Sequence, residues 1–151
     1  MKNIFDLSVT EEIVQRIEKL QPDTQRLWGI MDVAQMLAHC NVAFSYTFSP
    51  DKFKKPNFLM RFLLKNFIKK SIVSPKPYRH NERTAPYFLI ADQREFEKEK
   101  KLLIENIRKT QQLGESYFDG LENFSFGKMT AQEWSTMYYK HLDHHLRQFG
   151  V

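Results

Sequence analysis

Four times in this chain a Ser, Thr or Asp stands three residues before a Glu or Gln at the head of an apolar stripe. The pairs are Ser8 with Glu11, Asp32 with Gln35, Asp92 with Glu95, and Thr130 with Glu133. That spacing is the capping box, in which each side chain satisfies a backbone N–H that the first helical turn leaves without a partner. Behind each box the apolar residues recur at threes and fours, the period of a helix buried on one side. Val9, Ile13, Ile17 and Leu20 form the first stripe, and Val33, Met36, Leu37, Cys40 and Phe44 the second. Phe96, Leu103 and Ile107 form the third; Trp134, Met137 and Tyr138 belong to the fourth. The pattern predicts helices over 9–20, 32–47, 93–113 and 130–149. Pro22, Pro50, Gly114 and Gly150 stand where such helices stop. Strand-like alternation is scarce, so the fold class is all-α.

A long connection separates the second and third helices, about 53–91. Within it, 57–70 reads as an extra amphipathic helix with Phe58, Phe62 and Asn66 four apart. The prolines at 75, 77 and 86 mark extended loop after it. The sum is a four-helix bundle with one long crossover between helices two and three. At 151 residues the chain is expected to be a single domain, 1–151.

The formal net charge is +5, and much of the excess is local. Lys52, Lys54, Lys55, Arg61, Lys65, Lys69, Lys70, Lys76 and Arg79 lie in one segment, interleaved with Phe53, Phe58, Phe62 and Phe67. Such a segment invites a nucleic-acid or anionic-membrane reading. The expectation favoured over both is a solvated basic helix that packs its phenylalanines against the bundle. The single cysteine, Cys40, excludes an intrachain disulfide. No signal peptide and no apolar run of membrane-spanning length is read, so a cytoplasmic protein is expected, without stable membrane insertion.

The chemistry concentrates at the end of the fourth helix. His141 and His145 are four apart, which stacks two imidazoles on one helical face. On a wheel with His141 at zero, Trp134, Tyr138, His145 and Gln148 all fall within about 60° of it. The two rings therefore point into the bundle with the large apolar residues. His144 lies at the margin of that face. A buried histidine is more often a hydrogen-bonded core residue than a ligand. Two on one apolar face are costly to bury without partners, so metal binding stands level with the core reading on spacing alone. Cys40, the carboxylates, His80 and His39 are the candidates for a third ligand. His39 suits best, because it lies near the edge of the second helix's apolar stripe. Three inward imidazoles make a site with an open coordination position, the catalytic type. Tyr46, Tyr138 and Gln148 are candidates to orient the ligands or a substrate.

Three segments together carry a resemblance. They are 27–40, containing Trp28-Gly29 and His39; 126–134; and 140–150, containing His141 and His144-His145. The chain resembles the DinB-like bacterial proteins, and within them a group labelled only as a domain of unknown function. The resemblance implies a four-helix bundle that binds zinc or nickel through three histidines, here His39, His141 and His145. His144 matches an extra histidine that is not assigned as a ligand. The resemblance also implies small-molecule substrates, low-molecular-weight thiols as co-reactants in some members, and dimers in many.

Two functions follow as expectations. One is a metal-dependent thiol S-transferase or related hydrolase. The alternative is a non-catalytic metal- or ligand-binding module associated with stress. Nucleic-acid or membrane-surface binding through 52–70 ranks below both.

Overall fold

The computed structural model describes residues 1–82 and 84–151, and it is mostly helical. In chain order the helices are α1 (Leu7–Glu18), α2 (Val33–Phe48), α3 (Phe58–Leu63), α4 (Lys69–Ile72), α5 (Phe96–Phe118) and α6 (Ala131–Gln148). A π-helical turn, Leu64–Ile68, joins α3 to α4. The short strands β1 (Glu122–Asn123) and β2 (Gly127–Lys128) pair antiparallel between α5 and α6. Among the described residues no helix is long and apolar enough to cross a membrane.

The long helices α1, α2, α5 and α6 share one core. α5 packs against the other three, and α6 packs against α1 and α2. The stripes read from the sequence meet there: Ile13, Ile17, Met36, Leu37, Phe44, Leu103, Ile107, Trp134 and Tyr138 are all buried. An aromatic ladder links three of the helices. Phe44 of α2 lies flat on Tyr138 of α6 with centroids 4.5 Å apart, and Phe118 of α5 meets Trp134 edge-on at 5.5 Å. The Tyr138 hydroxyl is buried and lies 2.6 Å from the Thr47 hydroxyl, which supplies its partner.

Two of the four capping boxes form. Asp32 with Gln35 opens α2, and Thr130 with Glu133 opens α6, each with both reciprocal bonds. The other two do not. α1 starts earlier, with Asp6 as its cap and Ser8 already inside the helix. Burial of Ile4 and Phe5 in the core fixes the chain's entry and starts the helix ahead of Ser8. At α5 the Asp92 carboxylate is engaged by Arg94 instead, and the helix begins after Glu95. Gly114 breaks helical geometry with φ 72°, yet a last turn resumes beyond it, because Phe118 must reach the core.

The crossover departs from the sequence reading. A helix forms over the expected residues, but its phenylalanines do not pack on the body: Phe58 is 89 %, Phe62 52 % and Phe67 65 % exposed. Polar ties hold this helix, together with Ile72 and Val73 packed partly against the core at its end. Arg61 pairs with Glu122, and Lys69 pairs with Glu133 at 2.8 Å. Lys140, buried in α6, donates to the carbonyls of Ser71 and Ser74, each at 2.7 Å. These satisfy carbonyls at the end of α4 that have no further helical turn to bond.

The ladder sets a stability prediction. Tyr138→Phe leaves the Thr47 hydroxyl without its partner and is expected to cost about 1 kcal/mol. Tyr138→Ala opens a core cavity and is expected to cost about 3–5 kcal/mol. Urea midpoints check both.

Candidate metal centre

His39 sits on the buried face of α2, two turns in from its capped start; His141 and His145 sit on consecutive turns of α6. The α2–α6 contact brings the three rings together, so that one nitrogen from each lies within 4.8 Å of the other two. The Nε2 atoms of His39 and His141 are 2.9 Å apart. His39 and His145 are buried and His141 is partly buried.

The outer nitrogens decide what the inner ones can do. His39 Nδ1 lies 2.8 Å from the carbonyl oxygen of Phe88. A carbonyl only accepts, so Nδ1 carries the proton and Nε2 keeps its lone pair. His145 Nδ1 lies 2.8 Å from Gln148 Oε1, and Gln148 Nε2 donates to the Trp28 carbonyl at 2.8 Å. The second bond fixes which way the amide faces, and so fixes the His145 tautomer as well. Two bare Nε2 atoms thus face the centre. At 2.9 Å, two facing lone pairs on His39 and His141 would repel. Either a proton on His141 Nε2 or a cation between the rings removes that repulsion.

Burial makes the rings poor bases. It lowers the pKa of His39, and it holds His141 well below the ordinary histidine value, with the neighbouring histidines adding to the effect. His145 is lowered to about 3, again chiefly by burial and then by His39. The rings are therefore neutral at neutral pH, the form that ligates metals. Tetrahedral ligation at Zn–N distances of about 2.0–2.1 Å separates ligand nitrogens by about 3.3 Å. The observed range brackets that value, so the donor set fits a divalent cation and three histidines here could hold one.

Other residues singled out by sequence fall in different places. Gln148 reaches the centre through His145. Tyr46 does not touch the histidines; it stacks on Phe88, whose ring meets His39 and His141 edge-on. Tyr138 spends its hydroxyl on Thr47 in the core. His80 stacks on Trp28 with centroids 3.8 Å apart, and His144 packs near Trp28 and Tyr78, both outside the trio. The Cys40 thiol is buried against Met36, and burial raises its pKa.

Three contributors went unread in the sequence: the Phe88 carbonyl, the Trp28 carbonyl and Gly29. The first two are backbone atoms, Phe88 at the end of a short 3-10 turn (Pro86–Phe88) and Trp28 in the loop before α2, and carry no residue signature. Gly29 has one. Its φ of 82° favours glycine, and a Cβ there would collide with the Gln148 amide.

Two outcomes are expected. Gly29→Ala strains the backbone and displaces Gln148, destabilising the protein by about 1 kcal/mol or more in urea unfolding. For pH, the folded pKa values lie below the unfolded value of about 6.5, so the unfolded state binds more protons in acid. Stability of the metal-free protein is therefore fully present above about pH 6.5 and declines as pH falls below it. His141→Leu removes part of that decline, read as urea midpoints between about pH 7.5 and 5.

Comparison with known proteins places the chain by family. No curated protein and no solved structure matches it. One family model matches residues 2–150, nearly the whole chain. The chain belongs to the family described as Protein of unknown function (DUF1569).

Proposed function

We propose that the chain is one DinB-like four-helix-bundle domain. In this reading it binds a divalent metal through His39, His141 and His145 and uses it on a small molecule. The observation that carries this reading is the convergence of three imidazoles, two buried and one partly buried, with the Nδ1 protons of His39 and His145 held by acceptors and their Nε2 atoms turned inward. Zinc and nickel both suit imidazole ligands. A cation bound by three protein nitrogens keeps a position for a further ligand and lowers the pKa of a thiol or water that reaches it.

The chain's own residues orient and shelter the site. The Phe88 carbonyl sets the plane of His39, and Gln148 sets that of His145. The Phe88 ring, backed by Tyr46, walls one side with apolar surface. All three ligands are neutral, as are the acceptors behind His39 and His145, so the protein leaves the cation's charge uncompensated. An anionic ligand such as a thiolate is therefore favoured. That preference fits thiol S-transfer, with hydrolysis as the related chemistry.

Metal content of the purified protein tests the reading. The wild type is expected to hold about one zinc or nickel per chain, and His39→Ala, His141→Ala or His145→Ala to lose it. Gln148→Ala should weaken binding by about 10–100-fold through His145, and His144→Ala should leave it intact. Full metal retention in His141→Ala sinks the assignment. Metal-loaded protein is then assayed with thiols and electrophiles. Metal without turnover across a broad panel favours the non-catalytic binding module.

A further inference from the structure

The helix spanning α3, the π turn and α4 is turned the unusual way round for an amphipathic surface helix. Its basic residues Arg61 and Lys69 face the body through Glu122 and Glu133, and no residue of the whole stretch is buried. Ile72 near its end packs partly against the core, but most of its large apolar side chains face outward. Phe58, Leu59, Phe62 and Leu63, at i, i+1, i+4 and i+5, share one side, and all are exposed. The wider π turn advances the chain by fewer degrees per residue, which brings Phe67 round toward Leu59 and Leu63. With Met60 and Ile68 the exposed side chains present on the order of 700 Å² of apolar surface, above the few hundred Å² usual for a monomer's patch.

The charge around this face indicates its occupant. Residues 52–79 hold nine Lys or Arg and no Asp or Glu. Among the described residues Lys52, Lys54, Lys55 and Lys70 make no ion pair, and all four are exposed. A second copy brought face to face would set one cationic segment against another, which opposes self-association through this side. Stacking on nucleic acid would use the phenylalanines but not Leu59, Leu63, Met60 or Ile68. An anionic lipid surface uses both parts at once, with apolar side chains at the acyl boundary and lysines among the headgroups.

We propose that this protein docks on anionic membrane surfaces through the outward face of the 58–72 helix, lying in the interface without spanning it. Docking is independent of the metal at the histidine centre.

The test is sedimentation of the full chain with vesicles of phosphatidylcholine containing about 30 % phosphatidylserine, beside vesicles of phosphatidylcholine alone. Binding is expected only to the anionic vesicles at ~50 mM salt, falling steeply toward ~500 mM. The exposed triple variant Phe58→Ser/Phe62→Ser/Phe67→Ser should bind at least about tenfold more weakly. The variant Lys52→Gln/Lys54→Gln/Lys55→Gln/Lys70→Gln should do the same. Far-UV circular dichroism and urea midpoints report whether either variant disturbs the fold. Absence of binding to anionic vesicles at low salt overturns the proposal, as does undiminished binding of the folded serine variant. It is equally overturned if sedimentation equilibrium without lipid shows a dimer that the serine variant abolishes. Phenylalanine-dependent binding of a single-stranded oligonucleotide in preference to vesicles reassigns the face to nucleic acid.

Discussion

The bond from His145 Nδ1 to the Gln148 carbonyl oxygen is the constraint around which the C-terminal half of the site is organised. Its acceptor is held by the Trp28 carbonyl, and the Gln148 backbone oxygen also receives the Leu27 N–H at 2.7 Å. One residue at the end of α6 thus orients a buried imidazole, satisfies an orphan helix carbonyl and docks the loop that leads into α2. The loop can come this close only because position 29 lacks a Cβ. His39 is treated in parallel by the Phe88 carbonyl on the opposite loop. Polar rings in a helical core are costly unless each spends its outer N–H on an acceptor. Here the Phe88 carbonyl and the Gln148 side chain supply those acceptors, the latter held by the Trp28 carbonyl, and the inner nitrogens are left convergent.

The two halves of the molecule use polarity in opposite ways. In the core of α1, α2, α5 and α6, apolar stripes face inward and polar groups are matched in pairs, as with Tyr138 and Thr47. In the crossover helix, ions and one buried lysine tether the segment beside Ile72 and Val73 at its end, and most of the apolar side chains are left in solvent. A helix held by Lys140, Arg61 and Lys69 keeps its place without burying its phenylalanines. The expectation that those phenylalanines pack inward rested on amphipathicity alone, and amphipathicity does not say which side of a helix the body lies on.

The capping boxes show how far local sequence reaches. Asp32 with Gln35 and Thr130 with Glu133 form both reciprocal bonds, and the Lys69 ammonium shares the Glu133 carboxylate without displacing them. At Ser8 and Asp92 a tertiary demand won. Burial of Ile4 and Phe5 started α1 early, and Arg94 took the Asp92 carboxylate. The β1–β2 hairpin went unread because two-residue strands have no periodicity to detect. The histidine centre was legible in outline, since His141 and His145 share a face by spacing and His39 lies near an apolar stripe. Gln148 was legible with it, on the same helical face. The Phe88 and Trp28 carbonyls were not, because backbone atoms leave no mark in the residue types.

By itself the sequence determined what short-range periodicity and local capping can determine: the helical class, the four principal helices, and the inward direction of the two α6 imidazoles. Tertiary structure alone decided where the loops place the Phe88 and Trp28 carbonyls, hence which histidine nitrogens are bare. It also decided which face of the crossover helix meets the body. Both are matters of long-range packing and pairing between residues far apart in the chain, where a pattern along one segment specifies a direction but not a partner.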